Sequence, residues 1–183
     1  NGSVVLVKLD STGGTTQGLT VDLGVNYLDF ANNGALAAAG TTIVWNFDAN
    51  TITLNGALVT GVTNDWASQF AIFAANSDAA ETKWAIASGS HKGNTPSGFL
   101  ASGNPTAANF TSQASGNTAN FVQITAPLVD GIASKGTIGT ADNGAYAMGS
   151  TDANYVGTAY SATTVNGWKN NIKWSTWRSE EHT

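Results

Sequence analysis

The residues of this chain that could carry acid–base chemistry are two histidines and twelve carboxylates. His91 lies in segment 89–93 (Gly-Ser-His-Lys-Gly), whose glycines have the spacing of a nucleophile elbow, but His stands where Ser is needed. Most carboxylates stand beside Gly or Asn, where an Asp side chain accepts hydrogen bonds from its own backbone in a turn. A glycoside hydrolase would need two carboxylates that converge in a cleft. We therefore expect that the chain is not an enzyme.

Three loops are rich in the carboxylate, amide and backbone oxygens that calcium accepts as ligands. They are 76–78 (Asn-Ser-Asp), 142–144 (Asp-Asn-Gly) and 152–154 (Asp-Ala-Asn). None has the spacing of an EF-hand loop, and ordinary Asx turns explain the same residues. The chain has no Cys, and a single His outside the last six residues cannot form a zinc site of the usual type. We expect no cofactor, and calcium is the one candidate metal.

Six Trp residues could form a carbohydrate-binding surface, because flat aromatic rings stack on sugar faces. Trp45 and Trp84 lie within apolar segments that predict strands, so we expect these two in the core. Trp66 and Trp177 are better candidates for exposure, and they are the glycan-binding residues we predict for a carbohydrate-binding module. Packing in the core or at an interface explains the same side chains without a ligand.

The composition is typical of secreted and surface-assembled β-proteins. Charged residues make up 10% of the chain, whereas about 25% is usual in soluble domains. A net charge of −5 argues against nucleic acid or an anionic membrane surface as a partner. No apolar run is long enough to span a membrane as a helix. Because the chain starts at Asn1, we expect an extracellular or cell-surface protein from which a signal peptide has been removed.

The pattern of apolar residues predicts an all-β fold. Segment 3–9 (Ser-Val-Val-Leu-Val-Lys-Leu) is apolar on both faces, which is typical of a strand buried on both sides. A hairpin is expected from 69–75 and 82–87, and a long Gly/Asn/Ser-rich loop from 88–120. Short strands between Gly, Asn and Asp turns indicate an antiparallel β-sandwich, jelly-roll-like. Other strands are predicted over 19–23, 42–47, 51–54, 121–125, 145–148, 155–160 and 168–174.

The last six residues, 178–183 (Arg-Ser-Glu-Glu-His-Thr), differ from the rest of the chain in their density of charge. Their sequence resembles the translation of a common sequencing-adapter oligonucleotide. We therefore expect that these residues are non-native or misread, and that the chain forms a single domain over 1–177.

The opening residues 1–10 (Asn-Gly-Ser-Val-Val-Leu-Val-Lys-Leu-Asp) and segment 20–25 (Thr-Val-Asp-Leu-Gly-Val) resemble a loose group of secreted proteobacterial proteins. Most members are uncharacterised, and some carry a C-terminal surface-sorting signal. The resemblance covers residues 1–30 and the general composition. It implies a location at the cell surface or in an extracellular matrix, and it supplies no catalytic residues.

The strand nearest the start of the chain is the functional element that we expect. Its apolar side chains could fill a groove in a neighbouring subunit while its backbone pairs with an open sheet edge. Such a contact, repeated head to tail, produces a filament. The expected function is a structural subunit of an extracellular filament, pilus-like fibre or sheath; the alternative is a secreted carbohydrate-binding or adhesive module. Periodicity alone leaves open whether this strand pairs within its own domain. The donor residues would be Val4, Val5, Leu6, Val7 and Leu9.

Overall fold

The computed structural model describes residues 3–10, 17–30, 34–90, 98–101, 141–153, 155 and 175–176. Among these residues strands predominate, in two sheets, together with the helix α1 (Ala67–Asn76) and the 3-10 helix η1 (Tyr27–Phe30). The fold is therefore broadly all-β, as the sequence predicts. The strands are β1 (Ser3–Asp10), β2 (Gln17–Asn26), β3 (Ile43–Asn46), β4 (Thr51–Leu54), β5 (Ala57–Leu58), β6 (Asn64–Asp65), β7 (Lys83–Ser90), β8 (Gly98–Ala101), β9 (Asn143–Gly149) and β10 (Ser175–Thr176).

The larger sheet has the strand order β10-β7-β1-β2-β9-β6, and β8 pairs with β7 outside this path. All its pairings are antiparallel except that of β6 with β9. β1 lies in the middle of the sheet, between β2 and β7. Leu6, for example, stands opposite Val21 of β2 on one side and Ile86 of β7 on the other.

The first face of this sheet, which we call the helix-side face, carries the even-numbered residues of β1. Val4 and Leu6 are 1% and 4% exposed, and they pack with Leu19, Val21 and Leu23 of β2. The layer above this face is formed by α1 and by the hairpin of β3 and β4. It contributes to the same core through buried side chains, namely Phe47, Ile52, Trp66 and Phe73.

The opposite face of the sheet, which we call the far face, is buried as well. Val5 and Val7 of β1 are fully buried, as are Thr20 of β2 and Ala85 of β7. Aliphatic residues on both faces of a short segment are what a strand enclosed on both sides requires. The prediction of two-sided burial for segment 3–9 is confirmed.

The smaller sheet, β3-β4-β5, is built by two tight turns. Asn50 ends the first turn with φ 55°, and the second turn has φ 49° at Asn55 and 83° at Gly56. Two successive residues with positive φ suit a two-residue hairpin turn, for which Asn-Gly is the preferred sequence. The strands predicted over 42–47 and 51–54 are confirmed by β3 and β4.

The hairpin predicted from 69–75 and 82–87 is wrong in its first half, because Ala67–Asn76 form the helix α1. Trp66, Gln69 and Phe73 are buried, with spacings of three and four residues that place them on one helical face. Ile72, which a strand would have buried with Phe70, is 48% exposed. The second half is correct, since β7 begins at Lys83.

Other sequence predictions have mixed outcomes. Strand β9 confirms the strand over 145–148, and β2 confirms that over 19–23. The loop predicted over 88–120 is wrong at Gly98–Ala101, which form β8, and at the end of β7. The remainder of that loop, the strands over 121–125 and 168–174, and most of 155–160 lie outside the described residues.

The start of α1 depends on a side chain from the hairpin. Trp66 is the residue at the helix boundary, and its own side chain makes no capping hydrogen bond. Instead, the backbone amides of Trp66 and Ala67 donate to Oδ1 of Asn50, at 2.7 and 3.0 Å. Asn50 thus satisfies two helix amides and also adopts the left-handed backbone of the turn, a combination that Asn tolerates well.

We expect Asn50→Ala to lower the free energy of unfolding by about 1–2 kcal/mol, because it removes the shared cap and places a Cβ-bearing residue without a polar side chain at positive φ. Urea unfolding measures this change. Asn50→Asp is the matched control, because Asp keeps an acceptor and tolerates the same φ. Its free energy of unfolding should stay close to that of the parent protein. An Asn50→Ala midpoint equal to that of the parent would contradict this account of the cap.

Candidate assembly strand

The five residues predicted as the donor strand all lie in β1. Val4, Val5, Leu6 and Val7 are buried, and Leu9 is partly buried. In the structure of the single chain, β1 fills the space between β2 and β7, which we call the slot. Its register with β2 runs from Ser3 opposite Asn26 to Asp10 opposite Gln17, with an irregularity between Ser3 and Val5. The structure therefore pairs this strand within its own chain, which is the alternative that periodicity left open.

A buried lysine distinguishes the second half of β1. Lys8 lies on the helix-side face and is 5% exposed. Its Nζ atom is 5.2 Å from the ring centroid of Phe70 and 5.1 Å from that of Phe73, both in α1. These distances are within the range of cation–π attraction. Burial lowers the pKa of Lys8 to about 8, because desolvation disfavours the ammonium form.

A buried aspartate follows on the same face of β1. Asp10 is 2% exposed, and its Oδ2 accepts a hydrogen bond of 2.7 Å from the backbone N–H of Asp78, just beyond α1. The turn that presents this N–H is fixed locally, since Asp78 accepts from Ala80 N and from Thr82 Oγ1. Lys8 and Asp10 thus connect the end of β1 to α1 and to the turn after it. Neither residue is among the predicted site residues, although polar residues in an apolar strand are a signal for such contacts.

Trp66 is not an exposed aromatic residue, so the expectation that it binds glycans at the surface is wrong. It is fully buried, and its indole Nε1–H donates to the backbone carbonyl of Asp22 at 3.0 Å. Its ring meets that of Phe47 edge-on, with centroids 5.4 Å apart. Contacts from residues distant in sequence enclose it, which a local pattern does not reveal. Trp177, the second predicted residue, lies outside the described residues.

The predicted core tryptophans, Trp45 and Trp84, are partly buried and pack against the core. The indole N–H of Trp45 donates to the carbonyl of Leu23 at 2.8 Å, which joins β3 to the end of β2. This contact agrees with the structural role predicted for Trp45.

The carboxylates of the predicted calcium loops bind other parts of the chain. Asp142 accepts from the N–H of Thr63 at 2.8 Å and from its Oγ1 at 3.1 Å, and these bonds lower the pKa of Asp142. Asp152 accepts a hydrogen bond from the hydroxyl of Tyr146. The part of the chain that the structure describes contains no group of three or more His, Asp or Glu residues placed to hold a metal ion.

Three polar side chains lie on the far face of β2 and β9. Burial raises the pKa of Asp22, partly offset by the hydrogen bond that its Oδ1 accepts from Gly24 N–H. Burial and the nearby Asp152 carboxylate raise the pKa of Tyr146 to about 12, so its phenol stays neutral at ordinary pH. The Tyr146 phenol therefore keeps its proton and donates it in the hydrogen bond to Asp152. Thr20, directly opposite Tyr146, has a fully buried hydroxyl that finds no hydrogen-bond partner among the residues that the structure describes.

Comparison with protein-family models, with curated proteins and with solved structures finds no match to this chain. None of the helices within the described residues has the length and apolar character needed to cross a membrane.

Because Trp66 fills the core, we expect Trp66→Ala to lower the free energy of unfolding by about 3–5 kcal/mol, by leaving a cavity. Chemical unfolding followed by circular dichroism measures the change. Trp66→Phe is the control, since it keeps the aromatic contact with Phe47 and removes the N–H bond to Asp22. Its free energy of unfolding should fall by clearly less than that of Trp66→Ala. A Trp66→Ala protein as stable as the parent would show that this residue is not part of the core.

The buried Lys8 predicts a pH dependence of stability. Its pKa is about 8 in the folded chain against 10.5 for a free side chain, so the unfolded chain binds more protons between these values. The free energy of unfolding should therefore rise as the pH increases from 8 to 9.5, with a slope approaching about 1.4 kcal/mol per pH unit. Urea unfolding at a series of pH values measures this slope. Tyr146 acts in the opposite direction only above pH 10, because its pKa is raised.

Lys8→Met is the control for this titration, since it keeps the length of the side chain and removes the proton. Its stability should be nearly constant over the same pH range. An equal slope in the parent and in Lys8→Met would contradict the assignment to Lys8.

Proposed function

We propose that this chain is a structural subunit of an extracellular filament, pilus-like fibre or sheath, a homopolymer in which neighbouring copies exchange β1. The observation that carries the proposal is the position of β1. It precedes the other strands that the structure describes, and it nevertheless occupies the slot at the centre of the sheet. The low charge of the chain supports an extracellular location.

Exchange of β1 is physically plausible because a neighbour's strand would make the same contacts as the chain's own strand. Burial of the five aliphatic residues of β1 gives a gross stabilisation on the order of 10 kcal/mol, at about 1.5–3 kcal/mol each. This gain is the same in either arrangement, so the balance depends on protein concentration and on the connection to β2. In sequence that connection is 11–16 (Ser-Thr-Gly-Gly-Thr-Thr), and two glycines permit either a reversal or an extended linker.

An empty slot would be a strong driving force for assembly. Without β1, the facing edges of β2 and β7 would have unpaired N–H and C=O groups, and both faces would lose buried apolar contacts. Such edges pair readily with a strand from another molecule. Since a chain that donates its strand accepts one from the next, the contact is head-to-tail and continues along a filament.

We also propose that the complete fold is an antiparallel β-sandwich, jelly-roll-like. Burial of the far face supports a layer on that side in addition to the layer formed by α1 and the small sheet. The alternative function, a secreted carbohydrate-binding or adhesive module, has less support. Of its two predicted glycan-binding residues, Trp66 is enclosed in the core and Trp177 lies outside the described residues.

A cysteine pair can test the exchange directly, because the chain contains no Cys. Leu9 of β1 stands opposite Lys83 of β7, Leu9 is partly buried, and Lys83 is exposed. Opposed residues in antiparallel strands are close enough for a disulfide. We expect Leu9→Cys/Lys83→Cys, oxidised after assembly at high concentration, to give a ladder of covalent oligomers on a non-reducing gel.

Each single-cysteine variant is the control, since it forms at most a disulfide-linked dimer. Electron microscopy of the uncrosslinked protein should reveal filaments under the same conditions. A doubly substituted protein that is fully oxidised yet migrates only as a monomer, over the whole concentration range, would overturn the proposal.

A further inference from the structure

The apolar residues of β1 do not by themselves define one register in the slot. On the helix-side face Val4 and Leu6 are buried, and on the far face Val5 and Val7 are buried. A strand with one apolar face is fixed in register, because a slip of one residue exposes its apolar side chains. Here a slip of one residue in either direction leaves three of the four buried positions 4–7 filled by aliphatic side chains, and the fourth takes Ser3 or Lys8. The aliphatic residues therefore discriminate only weakly between neighbouring registers.

Lys8 and Asp10 are the two polar residues of β1 that the structure buries. Both are almost fully buried on the helix-side face, at 5% and 2% exposure. Each meets a different partner: Lys8 faces the rings of Phe70 and Phe73, and Asp10 accepts the N–H of Asp78. We infer that Lys8 and Asp10 determine the register and the depth at which β1 enters the slot.

A displaced strand would place the wrong charge at each position. If Leu9 moved opposite Ala85, two residues beyond its place at Lys83, Asp10 would occupy the position of Lys8. Its carboxylate would then face the electron-rich ring surfaces that attract a cation. If the strand moved by two residues the other way, Lys8 would approach the N–H that now binds Asp10, and two donors would face each other. Both displacements leave buried polar groups badly paired.

This selection applies equally to the chain's own strand and to a strand from a second copy. The second case rests on the proposed function, and there the occupant of the slot is residues Ser3–Asp10 of the neighbouring chain. Lys8 and Asp10 would then keep the repeat between subunits constant. A uniform polymer requires a constant repeat between subunits, and the apolar residues of β1, which fit more than one register, do not provide it alone.

Register can be measured with three cysteine pairs in the full chain. Leu9→Cys/Lys83→Cys reports the observed register, Leu9→Cys/Ala85→Cys a displacement in one direction, and Val7→Cys/Lys83→Cys a displacement in the other. With Lys8 and Asp10 intact, we expect a disulfide from the first pair only. The Lys8→Met/Asp10→Asn background preserves side-chain size. In this background the disulfide yield of the two displaced pairs should rise by about tenfold or more.

Three further backgrounds serve as controls. Lys8→Arg retains a cation over the rings and should hold the observed register, whereas Lys8→Met alone should release it in part. Leu6→Met alters the same strand but leaves Lys8 and Asp10 in place, so it should not change which cysteine pair forms the disulfide. If the double background is unstable, the comparison of Lys8→Met with Lys8→Arg decides the question.

The inference is overturned if the Lys8→Met backgrounds keep a single register. Its failure is distinct from failure of the proposed function, because the gel separates the two results. Which pair reacts reports the register, and whether the product is a monomer or a ladder reports exchange between chains.

Discussion

The constraint on which this fold depends is that β1 must be paired along both edges at once. A strand in the middle of a sheet cannot turn its backbone N–H and C=O groups to water, so β2 and β7 must both be present for it to be satisfied. β7 follows β2 by more than fifty residues, and α1 lies between them in sequence. The large sheet is therefore assembled from distant segments, with β1 as the strand that joins them. Either the chain's own β1 or an equivalent strand from outside meets this constraint.

The layer over β1 is held by polar contacts that bind its parts to one another. Asn50 links the small sheet to the start of α1, and Trp66 links that same point to β2 through the carbonyl of Asp22. Gln69, on the first turn of α1, accepts from the N–H of Ala147 in β9. Further along the helix, Phe70 and Phe73 cover Lys8. Because each of these groups is buried or partly buried and paired, they specify position, while the apolar residues supply most of the driving force.

The sequence predicts the parts of this structure that depend on local patterns, and it does not predict those that depend on contacts between distant residues. Local apolar periodicity and turn residues predict three features of the fold. These are the burial of both faces of β1, the strand β2 that follows it, and the hairpin of β3 and β4. The helix α1 was missed because its alanines carry no information on facing, so 69–75 fits both periods. The burial of Trp66 was missed because its partners, such as Phe47 and Asp22, are distant in sequence. Lys8 and Asp10 stand out in the sequence as polar residues of an apolar strand, but their partners, in α1 and in the turn after it, are distant in sequence.

Native-state amide hydrogen exchange of the soluble chain tests the central claim most directly. If β1 is held along both edges, the amides of Leu6 and Val7 should exchange only through global unfolding, with a free energy equal to that from urea unfolding. The amide of Leu58, in a two-residue strand at the edge of the small sheet, should exchange much faster. Exchange of Leu6 and Val7 as rapid as that of Leu58 would contradict the account, because β1 would then not be a central strand of the sheet.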